Sequence, residues 1–233
     1  MHQIHNIPDS MSFIDAAAFA LTAGTAGHAL LQRARLQAGE TVLITGAAGG
    51  CGSAAIQIAK AAGAQVIAVA GGTQKATLAA RLGADFVIDH LTLEGERALS
   101  THVAELTDGR GVDAVFDNVG TAVRELIRCL SWNGRLLVVG FAGGEIPVLP
   151  LNVTILKSIS VIGIAYGASA IVNPSANRAL LQQLFDWHAT GTLRPHISTV
   201  VGPAEAVDAI RTLHDRTALG KVVVAFTPSP TRG

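Results

Sequence analysis

From Thr41 to Gly63 the chain reads TVLITGAAGGCGSAAIQIAKAAG: an apolar run, a glycine-dense turn and a helix in immediate succession. Val42, Leu43 and Ile44 carry no polar interruption, which predicts a strand covered on both faces. Gly46, Gly49, Gly50 and Gly52 then fall within seven residues. The segment Ser53 to Ala62 intersperses Ala54, Ile56, Ile58 and Ala59 with Gln57 and Lys60, as a helix does, and Gly63 stands where a left-handed helix end belongs. A turn of this kind leaves backbone N–H groups and the positive end of a helix dipole facing outward, with no side chains to keep an anion away. The stretch therefore predicts a site for a pyrophosphate. Ala47 occupies the first position of the usual glycine fingerprint, with Gly49 second and Gly52 third.

A second strand follows at Gln65 to Ala70, QVIAVA, as a strand–helix–strand unit requires. The residues after it bear on which dinucleotide fits. An NAD site places a carboxylate there to hold the ribose hydroxyls. This chain instead has Gly71, Gly72, Thr73, Gln74 and Lys75, with no carboxylate before Asp85. A hydroxyl and an ammonium suit a 2′-phosphate, which a carboxylate would repel. The pattern points to NADPH rather than NADH.

The remaining chain alternates strand and helix patterns. Helices are expected at Ile14 to Ala20, Gly24 to Leu36, Thr73 to Leu82, Glu94 to Leu106, Thr121 to Leu130 and Pro174 to Thr190. Strands are expected at Phe86 to Ile88, Asp113 to Asp117, Arg135 to Val139 and Ser158 to Ala165, with Asn133-Gly134 as a turn. That alternation predicts a doubly wound six-stranded parallel sheet of Rossmann type, with right-handed crossovers and helices on both faces. Ligands of such sheets lie beyond the strand carboxyl ends. Those ends carry Gly46 to Gly52, Gly71 to Lys75, Asp89-His90, Asn118 to Gly120, Gly140 to Gly144 and Tyr166-Gly167. Further on come a short run at His196 to Val201, a helix at Pro203 to His214 and an apolar strand at Val222 to Phe226. The expected organisation is an entry linker (1–13), an NADP(H)-binding domain (14–190), a C-terminal segment (191–226) and a disordered tail (227–233).

Composition excludes several classes of partner. Seventeen basic and seventeen acidic residues cancel, which favours neither nucleic acid nor an anionic membrane. Mean hydropathy is +0.42, but the most apolar region, Ile155 to Val172, is broken by Lys157, Ser158 and Ser160, so no membrane span is expected there. The N-terminus lacks a secretory pattern, which makes cytoplasm the expected compartment. Cys51 and Cys129 stand alone, and the eight histidines form no ligand cluster, so no metal site is expected. Cys51, at a helix start, has a thiol whose pKa a helix dipole could lower.

Several stretches in order resemble the medium-chain dehydrogenase/reductase superfamily, specifically its zinc-free quinone oxidoreductase-like branch. They are TAGHAL (Thr25 to Leu30), GAAGGCG (Gly46 to Gly52), IQIAKAAGAQVIAVA (Ile56 to Ala70), LGAD (Leu82 to Asp85), GVDAVFDNVG (Gly111 to Gly120), GRLLVVGFAGG (Gly134 to Gly144) and GKVVVAF (Gly220 to Phe226). The resemblance implies that Gly49, Gly50, Cys51 and Gly52 hold the pyrophosphate and that Thr73 and Lys75 take the 2′-phosphate. It places His90 near the adenosine, where many relatives have tyrosine. It implies that Asn118, Gly140, Phe141 and Tyr166 line the ribose and nicotinamide, with Thr25 nearby. Members of this branch begin with a barrel-like catalytic domain, whereas this chain starts at about the cofactor domain. Its final strand and the stretch around His196 to Val201 belong in relatives to that other domain. They are expected to pair with each other, pair with another chain, or move. The edge at Ser158 to Ala165 implies a homodimer.

Two functions follow from the resemblance. One is an oxidoreductase transferring hydride from NADPH to a quinone or an activated, enone-type double bond. The other is a non-catalytic NADPH-binding module, or an enoyl reductase fragment, that needs a separate catalytic domain. No catalytic residue is assigned, although Tyr166, the only tyrosine, is a candidate acid. A short-chain dehydrogenase is excluded: Thr45 to Gly52 matches its turn, but the position four past Tyr166 is Ala170 rather than lysine.

Overall fold

The computed structural model describes residues 4–226; the expected tail and the first three residues of the expected linker lie outside them. Six parallel strands form the sheet: β1 (Thr41–Ile44), β2 (Gln65–Ala70), β3 (Phe86–Asp89), β4 (Val112–Asp117), β5 (Leu130–Val138) and β6 (Ser160–Gly163). Their spatial order is β3-β2-β1-β4-β5-β6. The order reverses between β1 and β4, which opens a crevice at their carboxyl ends. The expected doubly wound Rossmann-type architecture is the one observed.

Alternate residues of each strand enter opposite cores. Val42, Ile44, Val66, Ala68, Ala114 and Phe116 face one layer. That layer contains α1 (Phe13–Gly27), α2 (Gly50–Ala61), α3 (Thr73–Arg81) and, later in the chain, α8 (Pro174–Ala189). Leu43, Ile67, Val69, Val115 and Leu136 face the other layer, with α4 (Ala98–Leu106) and α5 (Val123–Cys129). Burial on both sides explains why β1 is apolar at every position after Thr41. Short helices α6 (Val153–Leu156) and α7 (Tyr166–Val172) flank β6.

Three local expectations change, and a fourth, open between pairing with each other, pairing with another chain and moving, is settled for the first. The two N-terminal helices are one: α1 passes directly into a π-helical stretch, His28–Arg33, with no break at residues 21–23. Small residues carry this join, because Ala23, Ala26 and Ala29 are fully buried and let neighbours approach. Asn133-Gly134 lies within β5, where Asn133 takes φ +61° and the pairing jumps from Val112–Leu130 to Ala114–Arg135. Residues 166–172 are helical rather than a plain loop. The C-terminal stretches pair with each other: β7 (Ile197–Val201) runs parallel to β8 (Lys221–Val224), joined through α9 (Ala206–His214). Gln57 of α2 anchors this ribbon, since its side-chain amide donates to Arg194 O and accepts from Arg194 N, both at 2.9 Å.

The continuous helix Phe13–Arg33 is long and apolar enough to cross a bilayer, yet 56% of its most apolar 18-residue window is buried within the protein. Phe19, Ala23, Ala26 and Leu30 use that apolarity against the sheet and α8. His188, in the last turn of α8, is 1% exposed and stands edge-on to Phe19 with ring centroids 5.5 Å apart. Its Nε2 lies 3.6 Å from the Asp15 carboxylate. Burial and the Arg194 charge push the imidazole pKa below its ordinary value, and Asp15 opposes them only in part. The folded protein thus holds this ring neutral, while the unfolded chain takes up a proton near pH 6.5. The unfolded state binds more protons as pH falls, so this contribution to stability is present above about pH 6.5 and lost below it. Thermal melts from pH 7.5 to 5.5 should show Tm falling, and His188→Phe should flatten the decline. Parallel curves for the two proteins would refute this assignment.

Candidate cofactor-binding site

The glycine turn begins where β1 leaves the sheet. Gly46 has φ +57°, which reverses the chain, and Gly49 caps α2 by accepting from Ser53 N at 2.8 Å. A parallel bridge between Gly49 and Gly220 turns the Gly50 N–H toward Gly220 O, while the N–H groups of Cys51 and Gly52 make no hydrogen bond among the described residues. They are the open donors that a helix start offers to an anion. Gly52 has no room for a side chain: an added Cβ would lie 2.8 Å from Ala47 Cα and closer still to Gly46 O. At Gly49 the same atom would meet only Gly46 O, at 3.3 Å. One glycine therefore closes the turn on the helix and the other leaves an open approach, a cradle that fits a diphosphate.

A buried carboxylate ties this turn to the next strand. Asp117, 4% exposed at the end of β4, accepts from Thr45 Oγ1 at 2.7 Å, Val119 N at 3.0 Å and Gly120 N at 3.1 Å. Thr45 Oγ1 in turn accepts from Asn118 N at 3.1 Å. The loop after β5 is stitched to the same place through Ala142 N to Asn118 O and Gly143 N to Val119 O, at 3.1 and 2.8 Å. Asn118, Gly140 and Phe141 are thereby brought together beside the glycine turn. Phe141 lies over Gly120, where an added Cβ would be 2.7 Å from its ring.

The β2 end is arranged around Asp89, whose carboxylate accepts from Gly72 N at 2.9 Å and Leu91 N at 3.0 Å. Those two N–H groups hold its pKa below the usual carboxylate range. His90 covers Gly71, with Nε2 2.6 Å from where a Cβ would stand. Thr73, the first residue of α3, is exposed, and the Lys75 ammonium donates to Arg216 O at 2.7 Å. One such bond leaves two ammonium donors free for a phosphate.

The expected site residues therefore gather along the carboxyl edge, with differences in detail. Tyr166 opens α7 at the end of β6, but its side chain packs onto Gly24 of α1. Thr25, half-buried, follows that glycine, whereas Thr22 is the α1 residue that meets the glycine turn, 3.1 Å from a Cβ at Gly50. Cys51 is not an activated thiol: burial raises its pKa, and Lys221 opposes that only in part. Burial likewise pushes the Cys129 thiol up, to about 12.

Sequence reasoning missed Asp117, Lys221 and Arg216, and placed Asp89 at a strand end without giving it a role. Lys221 runs its stem along Gly50, with Cδ 2.8 Å from a Cβ there, while Gly220 N donates to Ala48 O at 2.7 Å. The Arg216 guanidinium reaches Ala142 O and Gly143 O at 3.3 and 3.5 Å. The C-terminal ribbon thus brings two cations across the crevice. The GKVVVAF motif was visible in the sequence, but not where it docks.

Residues 50–186 match the zinc-binding dehydrogenase family. A quinone oxidoreductase-like protein 2 homolog of Nematostella vectensis is 37% identical over 221 residues, covering 94% of this chain and 59% of its own length. The Bos taurus quinone oxidoreductase-like protein 2 is 38% identical over 223 residues, 94% of this chain and 62% of its length. The chain thus spans about three fifths of the length of these relatives. Among solved structures, Escherichia coli quinone oxidoreductase complexed with NADPH superposes with a TM-score of 0.85 at 27% identity, covering 96% of this chain and 68% of that one.

Proposed function

This chain belongs to the zinc-binding dehydrogenase family, on the quinone oxidoreductase-like branch of the medium-chain dehydrogenase/reductase superfamily, and from that premise we propose that it is the NADPH-binding half of an oxidoreductase. The observation that carries this reading is the crevice itself. Two open N–H groups, of Cys51 and Gly52, start α2, Lys221 stands beside Gly50, and Lys75 stands at the end of β2 with no carboxylate on its own loop. The N–H groups of Cys51 and Gly52 would hold the diphosphate over the side-chain-free Gly49 and Gly50, and Thr73 and Lys75 the 2′-phosphate. Asn118, Gly140, Phe141, Tyr166 and Thr25 border the nicotinamide end, and His90 the adenosine end. Bound NADPH supplies a hydride, and the protein supplies orientation and exclusion of water.

The acceptor we propose is a quinone or an enone, as the names of the relatives support. Its other wall would come from a further domain of the kind the longer relatives have room for. We propose zinc-independent chemistry, as the resemblance to the zinc-free branch implies. We further propose a homodimer through β6, where Val161 and the nearby Ile155 and Leu156 are exposed. Unpaired Cys51 and Cys129 are compatible with a cytoplasmic setting.

Fluorescence titration of the purified chain with NADPH and with NADH tests the proposal. NADPH should bind at least tenfold more tightly, the order expected for one charge-assisted phosphate contact. Lys75→Ala should remove most of that preference and leave NADH binding unchanged. Equal binding of both dinucleotides by the unaltered chain would overturn the 2′-phosphate assignment. The absence of binding to either would overturn the cofactor reading. The second reading, a binding module without catalysis of its own, is favoured by the seating of the Tyr166 ring against α1, away from a role as proton donor. Quinone turnover by this chain alone would exclude it.

A further inference from the structure

The use of Tyr166 is unexplained by the crevice, because its aromatic ring is spent on a helix rather than on the open edge. Gly24 is buried in α1, and an added Cβ there would lie 2.6 Å from Tyr166 Cε1 and closer still to Cζ and the hydroxyl. The ring occupies a notch that exists only because residue 24 has no side chain. His28, one turn further along, closes the notch with its ring tilted 44° and its centroid 6.0 Å from that of Tyr166. At the next glycine, Gly27, an added Cβ would stand 3.1 Å from Leu180 Cδ1 and 3.2 Å from Leu184 Cδ1 of α8. The glycine face of α1 is therefore a docking track for α7 and α8. Tyr166 is the residue at which the chain coming off β6 enters it.

The register shows what this seat controls. Val138 of β5 pairs with Gly163 of β6, and Ile164 N donates to Val138 O at 3.0 Å. Gly140 and Ala165 each stand two residues beyond that pair, so Ala165 and the start of α7 lie level with the Gly140 loop at the mouth of the crevice. Beyond Ile164 the sheet no longer holds this segment. Its next anchor is the Tyr166 ring in the Gly24 notch.

We propose that Tyr166 is a positioning residue, whose ring, seated against Gly24, fixes Ala165 and the first residues of α7 as the wall for the nicotinamide half of the cofactor. This rests on the NADPH reading above. It assigns the work to the shape of the ring and none to its hydroxyl, which burial keeps protonated. A loose wall would cost affinity only for a ligand that reaches it.

The test compares NADPH with 2′,5′-ADP, which carries the adenosine 2′-phosphate but no nicotinamide, on the full chain. Tyr166→Ala and Gly24→Ala should each weaken NADPH about tenfold, in line with the cost of a misplaced wall, and leave 2′,5′-ADP within about twofold. Tyr166→Phe should bind both ligands as the unaltered chain does. Once the ring is gone, Gly24→Ala should cost nothing further in the Tyr166→Ala background, the non-additivity expected of two residues in one contact. A loss in Tyr166→Phe equal to that in Tyr166→Ala would overturn the proposal in favour of a direct role for the hydroxyl. Equal losses for the two ligands, or no loss, would also overturn it. If the unaltered chain binds neither ligand, the cofactor reading has failed instead.

Discussion

Gly52→Ala should abolish dinucleotide binding and lower stability, because the added methyl has nowhere to go. Its Cβ would fall 2.8 Å from Ala47 Cα and 2.9 Å from Ala47 C, with Gly46 O nearer still. All three atoms are backbone, so no side-chain rotation relieves the clash. The start of α2 must move away from the turn, and with it the open N–H groups of Cys51 and Gly52 proposed to hold the diphosphate. Overpacking a tight contact typically costs about 1–3 kcal/mol, and the backbone identity of these neighbours puts Gly52 at the upper end. The neighbouring glycine supplies the control. At Gly49 an added Cβ approaches only Gly46 O, at 3.3 Å, and φ is −79°, which any residue adopts. Gly49→Ala should therefore fold nearly as well and lose affinity only by crowding the ligand. Denaturant unfolding and NADPH titration of both variants separate the two roles. Equal stability of Gly52→Ala and the unaltered chain would show that the turn has slack not visible in its packing.

Those two glycines also mark how much could be read beforehand. The order of strand, turn and helix at Thr41 to Gly63 was legible because period and glycine spacing are local properties. The six-stranded parallel sheet followed from repeating that unit. The failures have a common cause. The join of the two N-terminal helices depends on Ala23, Ala26 and Ala29 fitting against the sheet, which no short window reveals. The pairing of β7 with β8 was one of the expected outcomes, but their docking beside Gly49 and Gly50 crosses most of the chain and was not. Lys221, Arg216 and Asp117 enter the site by such long-range contacts. Tyr166 was picked out as the only tyrosine, but the glycine on α1 that receives its ring lies 142 positions earlier, since 166 − 24 = 142.

Asp117→Ala should be the most damaging change of a residue that is not itself in the list of expected ligand contacts. The carboxylate is 4% exposed and accepts three bonds, from Thr45 Oγ1, Val119 N and Gly120 N. Removing it strands two backbone donors and a hydroxyl in a place that water reaches poorly. Each buried group left without a partner costs about 1–3 kcal/mol, so a loss of roughly 3 kcal/mol or more in folding stability is expected. The effect on the site should be distinct from that loss. Thr45 leads into the glycine turn, and Asn118 to Gly120 holds the Ala142–Gly143 loop, so both halves of the crevice share this one anchor. Asp117→Asn keeps an oxygen acceptor of the same size and should recover much of the stability. It should bind NADPH more weakly than the unaltered chain, because one amide oxygen is a poorer acceptor for three donors than a carboxylate. Thr45→Val removes only the hydroxyl and leaves both N–H bonds to Asp117. If the carboxylate is the organiser, Thr45→Val should cost less than Asp117→Ala in both stability and affinity. The reverse order would place the anchor on the threonine.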